Sequence, residues 1–363
     1  MFRLLVSAGG TGGGVYPALA IAAALGPKAE ILWLGGEGME TSLVPRAGIP
    51  FASIPAAGVH GVGWRALPGN VMELARGVAA AGAHIRRFRP DVMFLTGGYV
   101  GVPTALAGWT VPKVVYVPDI EPGLALRFMA RSAKVVAVTA EPSRRFHPRA
   151  ARVVVTGYPA RPTLRPMDRS RARSELGLDP RSPVLLVTGG SQGARSINEA
   201  VWARLRQLLL LAQIVHLTGE ADWPRASEAR RTVPESLAAR YHAYPYLHDE
   251  MARAYASADL VVSRAGASTL GELPLFGLPA ILVPYPHAWR YQRVNADYLV
   301  ERGAAVTLDD SRLETDLVQA VRSLLEDPEG LAAMSAAARR QAAPDAAERI
   351  AAEIERIVEA QRG

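Results

Sequence analysis

Two glycine-rich turns carry the first chemical signal. Residues 8–14 read AGGTGGG, directly after an apolar run and before a helical pattern with Pro17 near its first turn. Residues 189–194 read GGSQGA in the same setting. Glycine tolerates positive φ and lets a phosphate come close to backbone N–H groups. A helix that starts just after such a turn adds the positive end of its dipole. Both turns therefore suit a phosphate or diphosphate, and Ser191 adds a hydroxyl to the second. The first is not a dinucleotide-binding GxGxxG, because the spacing fails, and it lacks the Gly-Lys-Ser/Thr of a P-loop. A plain strand-to-helix connection with no ligand is the competing reading.

Both turns need strands and helices to hold them. Short, β-branched apolar runs fall at 2–7, 31–34, 92–95, 114–117, 135–138 and 153–156, with helical patterns between them. Continuous apolar runs of this kind suit parallel strands buried on both faces. The pattern restarts after an Arg- and Pro-rich stretch at 161–183, with runs at 184–188, 214–218, 260–263, 280–284 and 304–307. LLVSAGGTGGG and LLVTGGSQGA echo each other as strand and turn. The fold class expected is α/β: two Rossmann-like doubly wound parallel-sheet domains facing across a cleft. The expected boundaries are 1–160, 161–343 and a final amphipathic helix at 344–363 that packs back on the first domain.

Composition narrows the function classes. The chain has 363 residues, 49% of them hydrophobic and 21% charged, enough apolar content for two cores and against disorder. It has no cysteine, so disulfides, thiolate metal sites and cysteine nucleophiles are excluded. A cytosolic address follows as an expectation. No signal peptide and no apolar run of about 18 residues is read. Seven histidines are scattered without an i, i+4 pair, so neither a metal site nor a cofactor is expected. Residues 1–160 carry 16 Lys and Arg against 8 Asp and Glu, while the remainder carries 25 against 26. A basic first half suggests an anionic partner. No nucleic-acid module is visible, which leaves an acidic lipid surface or a phosphorylated substrate.

With these features in place, the sequence resembles the MurG family along essentially its whole length. AGGTGGGVYPALAIA and TGGYVGVPTALA look like that family's first and second glycine motifs. GYPAR at 157–161 resembles its interdomain segment. GGSQGARSIN, SRAGASTLGELPLFGLPAILVPYP and HAWRYQRVNA resemble its donor-site segments. The resemblance implies the two-domain GT-B arrangement of glycosyltransferases. It implies transfer of N-acetylglucosamine, with inversion, from UDP-N-acetylglucosamine to the muramyl sugar of a polyprenyl-diphosphate-linked peptidoglycan precursor. It also implies a set of site residues. Ser191, Gln192 and Gly193 would meet the UDP phosphates, with Arg161 facing them across the cleft. Ala267, Ser268 and Thr269 would open a helix aimed at the diphosphate. Glu272 would accept both ribose hydroxyls, for which a carboxylate offers two acceptor oxygens. Gln292 would read sugar hydroxyls with Asn295 beside it at the donor, and the backbone near His248 would pair with uracil. Thr11, Gly12 and Gly13 would also touch the donor, while Gly13, Gly14, Tyr16, Gly97, Gly98 and Tyr99 would face the acceptor.

Two departures fall in the acceptor half. The family's first motif ends in histidine, a candidate catalytic base, where this chain has Gly14. The family's His-Glu-Gln-Asn stretch is replaced by Pro118-Asp119-Ile120-Glu121-Pro122-Gly123. One outcome is that a carboxylate has become the base. Asp119 is the first choice, following the strand at 114–117, and Glu121 the second; partial burial would raise such a carboxyl toward a working pKa. Asp119 as the cap of a helix starting near Pro122 is the competing reading. Other outcomes are a different lipid or polyprenyl-linked acceptor, or a non-catalytic UDP-sugar-binding regulator. A UDP-sugar epimerase shares the architecture. The stretch 59–88 is expected to hold a helix with Val71, Leu74, Val78 and Ile85 on one face, preceded by Trp64 and Leu67 and bordered by Arg65, Arg76, Arg86, Arg87 and Arg89, which suits an anionic membrane surface. It suits equally an ordinary core-facing stripe. The expected location is the cytoplasmic side, peripheral on the inner face of the membrane.

Overall fold

The computed structural model describes all residues except Thr11, 57–66, Arg149, Ser191, Gln192, Asp249 and Trp289, and the side chain of Leu67. The chain divides into two compact units, Met1–Pro162 with Ala343–Gly363, and Thr163–Ala342.

The first unit is built on seven parallel strands: β1 (Phe2–Ser7), β2 (Ala29–Gly35), β3 (Phe51–Ser53), β4 (Val92–Leu95), β5 (Lys113–Val117), β6 (Val135–Val138) and β7 (Val153–Val155). Their order is β3-β2-β1-β4-β5-β6-β7. Leu4, Leu5, Val6, Phe94, Val115 and Val136 are buried, as expected of a sheet covered by helices on both faces. The final helix, Ala346–Arg362, lies on the first, Gly12–Leu25. It is tied there by Lys28 to Glu355 at 2.8 Å and Arg152 to Glu353 at 3.0 Å.

The second unit has six parallel strands: β8 (Val184–Thr188), β9 (Gln213–Leu217), β10 (Tyr241–Tyr244), β11 (Leu260–Ser263), β12 (Ala280–Leu282) and β13 (Ala305–Thr307), in the order β10-β9-β8-β11-β12-β13. Both units thus follow the doubly wound order 3-2-1-4-5-6, the first with one strand more. In such sheets the chain reverses its winding between the first and fourth strands, and the carboxyl ends of those two strands form the ligand crevice. The glycine turns follow β1 and β8, so each lies at its unit's switch point.

Two strands, β3 and β10, were not read from the sequence. Both are edge strands, and most of their residues are half-exposed, so they lack the continuous apolar run that marks the others. The helix Leu67–Phe88 starts at Leu67, which was expected to precede it, and turns part of its apolar face toward the core. Its inner face is Gly77, Ala81 and Ile85: a Cβ on Gly77 would lie 2.2 Å from the Pro55 carbonyl oxygen, and Ile85 packs on the core. Leu74 and Val78 are half-buried, and only Val71 of the expected apolar face, with Met72, is exposed. Trp64 and Arg65 lie outside the described residues.

Candidate functional site

At the first switch point the glycine turns after β1 and β4 lie against each other. Gly98 has φ +76°, and a Cβ there would come within 2.8 Å of the Gly9 carbonyl oxygen. Thr96 Oγ1 donates to the Gly14 carbonyl at 3.0 Å, and a Cβ on Gly14 would sit 3.1 Å from that hydroxyl. Position 14 is thus tight against β4's turn, and a Cβ there requires the Thr96 hydroxyl to give by a few tenths of an ångström. Pro17 is the sixth residue of the helix Gly12–Leu25 rather than part of its first turn. Lacking an N–H, it cannot bond the Gly13 carbonyl one turn back. Tyr16 projects from the same helix, and the Arg161 guanidinium stacks on its ring at 4.3 Å from the centroid. Gly12, Gly13, Gly14, Tyr16 and Arg161 are therefore gathered in one place. Gly97, also at positive φ, packs on Leu126, while Tyr99 stands 64% exposed. Thr11 lies outside the described residues.

The loop after β5 carries both candidate bases, and the structure separates them. Glu121 is 1% exposed and paired with Arg127 Nη2 at 2.8 Å. Arg127 also donates through Nε to the Pro122 carbonyl at 3.1 Å and lies over the Phe146 ring. Held in this buried pair, the Glu121 side chain anchors the loop to the following helix. Asp119 is half-buried. Its loop is fixed from below: Thr139 Oγ1 donates to the Pro118 carbonyl at 2.8 Å and meets the Tyr116 hydroxyl at 2.7 Å. Burial raises the Tyr116 hydroxyl well above its ordinary pKa, and the charge of nearby Asp119 acts in the same direction. The following helix is Leu124–Ala130 with Gly123 at its N-cap, so Asp119 is not the N-cap residue.

The second switch point is more heavily built. Glu272 is 4% exposed and accepts from Tyr255 Oη at 2.8 Å. The expected single helix leading to it is divided: Ala267–Leu270 is one 3-10 turn, and the α-helix Glu272–Phe276 begins after Gly271. Within that turn the Thr269 N–H is bonded to the Gly266 carbonyl at 3.0 Å. Asn295 is buried and donates to the Ala265 carbonyl at 3.1 Å, so it supports the turn from behind. Gln292 accepts from the Tyr285 N–H at 2.9 Å. His248 is exposed, with its ring edge-on to Tyr246 at 4.7 Å between centroids. Gly193 has φ +75°, and a Cβ there would lie 2.4 Å from the Thr218 carbonyl oxygen. Ser191 and Gln192 lie outside the described residues.

Two groups of residues around this turn were not singled out from the sequence. Arg264 is buried at the end of β11, where it pairs with Asp310 and donates to Ser196 Oγ at 2.6 Å and the Val283 carbonyl at 3.3 Å. It joins the ends of β11 and β12 to the helix Arg195–Ala203 after the glycine turn. Behind it runs a buried polar chain. Asn198 Nδ2 donates to the Thr218 carbonyl at 2.8 Å and to Asp222 Oδ2 at 2.9 Å. Its Oδ1 then faces His216 Nε2 at 3.0 Å, and His216 Nδ1 meets Tyr241 Oη at 3.0 Å. The Asn198 assignment makes Nε2 the protonated nitrogen of a neutral imidazole. Burial lowers the His216 pKa to about 3, against a smaller opposing effect of Asp222. Arg264 and Asn198 stand inside the quoted motifs, so position alone was a usable signal. Tyr255, Asp310 and His216 carry none.

Among the described residues, no group of three or more His, Asp or Glu is arranged to hold a metal ion. Two doubly wound units, each with a glycine turn at its switch point, define the architecture of the two-unit sugar-nucleotide enzymes. The chain belongs to glycosyltransferase family 28: residues 4–138 match the family's N-terminal domain and residues 184–350 its C-terminal domain. It is 41% identical to a UDP-N-acetylglucosamine--N-acetylmuramyl-(pentapeptide) pyrophosphoryl-undecaprenol N-acetylglucosamine transferase of Roseiflexus sp. (strain RS-1), over 98% of this chain and 95% of that one. A relative of the same name from Moorella thermoacetica is 40% identical over 98% of this chain and 99% of its own. Among solved structures, MurG of Acinetobacter baumannii is 28% identical with a TM-score of 0.76, covering 98% and 99% of the two chains. A UDP co-structure of MnaA from S. aureus, 14% identical with a TM-score of 0.70 over 96% and 95%, shares the fold.

Proposed function

We propose that this chain moves N-acetylglucosamine from UDP-N-acetylglucosamine to the muramyl sugar of a polyprenyl-diphosphate-linked precursor, forming a β1→4 link with inversion. The carrying observation is end-to-end likeness, at about 40% identity, to relatives that bear that activity in their names. In this reading the second unit binds the donor. Glu272, held by Tyr255, takes the ribose hydroxyls, and Gly193 with Ser191 and Gln192 receives the diphosphate. Ala267 and Ser268 border it, Gln292 belongs to the sugar side with Asn295 supporting the turn from behind, and the backbone near His248 meets uracil. Arg161, stacked on Tyr16, adds positive charge toward the leaving diphosphate. Gly12, Gly13, Gly14, Gly97, Gly98 and Tyr99 border the acceptor. The acceptor hydroxyl attacks the anomeric carbon, the bond from that carbon to the β-phosphate oxygen breaks, and UDP leaves. Asp119 takes the hydroxyl proton.

The decisive experiment incubates purified protein with radiolabelled UDP-N-acetylglucosamine and lipid-linked muramyl acceptor, beside a panel of other lipids. Transfer to the muramyl lipid is expected. Transfer only to another lipid would replace the acceptor assignment, and tight UDP-sugar binding with no transfer or hydrolysis would favour a regulator.

The same reading places the protein on the inner face of the membrane. The excess of basic residues in 1–160 supports it, as do exposed Val71 and Met72 on a helix that also exposes Arg76, Arg86 and Arg87. No helix among the described residues is long and apolar enough to cross a membrane. Flotation with anionic vesicles, weakened by salt and absent with neutral vesicles, is the expected result.

A further inference from the structure

A buried carboxylate already occupies the first glycine turn. Glu40 begins the helix Glu40–Arg46 and is 1% exposed. Its Oε2 accepts from the Gly10 N–H at 3.0 Å and its Oε1 from the Gly36 N–H at 2.9 Å. A carboxylate suits this job, since it presents two acceptor oxygens and no donor to two N–H groups. The surrounding glycines are shaped around it. A Cβ on Gly9 would stand 2.4 Å from Glu40 Oε1, and one on Gly38 2.5 Å from Oε2. Two more contacts complete the hold on the turn: Trp33 Nε1 donates to the Ala8 carbonyl at 2.9 Å, and Thr96 Oγ1 to that of Gly14.

We propose that Glu40 is a positioning residue for the acceptor side of the reaction: its carboxylate locks the turn that carries Gly12, Gly13 and Gly14, and it takes the Gly10 amide that a nucleotide phosphate would otherwise use. Two physical consequences follow. The turn's conformation is set by an internal anion before any substrate arrives, so the acceptor meets a preformed edge. Because the Gly10 N–H is already taken by Glu40, it is not open to a nucleotide phosphate, which leaves nucleotide binding to the other unit. The inference rests on the proposed function, and its failure is separable from the failure of that reading, which wild-type transfer tests on its own.

The test uses Glu40→Gln in the full chain. Glutamine keeps the size but places an NH2 against one of the two N–H donors. The KM for lipid-linked acceptor is expected to rise about tenfold or more, as for a lost hydrogen bond to a charged group. Equilibrium affinity for UDP, read by calorimetry, should stay within about twofold, since UDP is assigned to the other unit. Gly9→Ala, which pushes the carboxylate away with Glu40 intact, should give the same split. The double variant should be no worse than either single one, because both break one contact. A purely structural role would lower the active fraction and leave the acceptor KM alone. An unchanged acceptor KM, or a UDP affinity that falls equally, overturns the proposal. Should Glu40→Gln fail to fold, Gly9→Ala carries the same test with the same two outcomes.

Discussion

The two glycine turns occupy equivalent places in equivalent sheets, yet they are secured differently. In the first unit a carboxylate from beyond the second strand, Glu40, bonds directly to the turn's backbone. In the second, the carboxylate from beyond the second strand is Asp222, and it bonds side chains instead, Asn198 Nδ2 at 2.9 Å and Arg195 Nε at 3.3 Å. Among the described residues, the Gly190 N–H there meets its neighbour Thr188 Oγ1, at 3.3 Å. One turn is filled by an internal anion, and the other is braced from the helix behind it. The same topology thus yields one turn closed by a carboxylate on its own backbone and one whose carboxylate holds side chains instead.

The largest expected effect tests whether the first unit supplies chemistry. Asp119→Asn should lower turnover by about 10²–10⁴-fold with UDP affinity intact, measured by single-turnover transfer and calorimetry. Near-normal turnover would leave the first unit with binding tasks only. Glu121→Gln should behave oppositely. It breaks a charge-assisted pair to Arg127 and should cost roughly 1–3 kcal/mol of stability, read by urea unfolding, with turnover per folded molecule little changed.

Moving to the second unit, Glu272→Gln should weaken UDP binding by roughly 1.5–3 kcal/mol, or about ten- to a hundredfold. Because Tyr255 donates to this buried carboxylate, some thermal stability should be lost with it. Unchanged UDP affinity would remove the ribose assignment. Asp310→Asn leaves Arg264 without its charge partner and loosens the link to Ser196, so a smaller loss of donor affinity, about threefold to tenfold, is expected by titration.

The smallest effect concerns pH. His216 is neutral in the folded state, with a pKa lowered by burial from 6.5 to about 3. The unfolded chain takes up the proton first as pH falls, so stability is fully present above about 6.5 and declines toward pH 3. The slope from this site is at most about 1.4 kcal/mol per pH unit. His147 in the first unit, lowered to about 4 by burial and by Arg127, has the same sign. Urea midpoints against pH should therefore flatten in His216→Gln, and a curve parallel to wild type would show that this histidine is not the acid-sensitive group.

Much of this was legible in one dimension. The central strands announced themselves because a strand buried on both faces must be apolar at every position, and Leu4–Val6 or Val184–Val187 are so. The glycine turns were legible because positive φ and close backbone approach leave little choice of residue, as at Gly98 and Gly193. The edge strands β3 and β10 were hidden because partial exposure admits polar residues. What the tertiary structure alone decided is how the charged side chains are spent. Glu40, Glu121 and Glu272 each lie in a glycine- or proline-rich stretch, Glu40 with Glu37 three residues before it, and nothing local distinguishes them. One bonds two backbone amides, one pairs with Arg127 six residues on, and one is held by Tyr255 from another helix. A carboxylate's role is fixed by which donors the fold brings within about 3 Å of it, and those donors lie up to thirty positions away along the chain, as Gly10 does from Glu40.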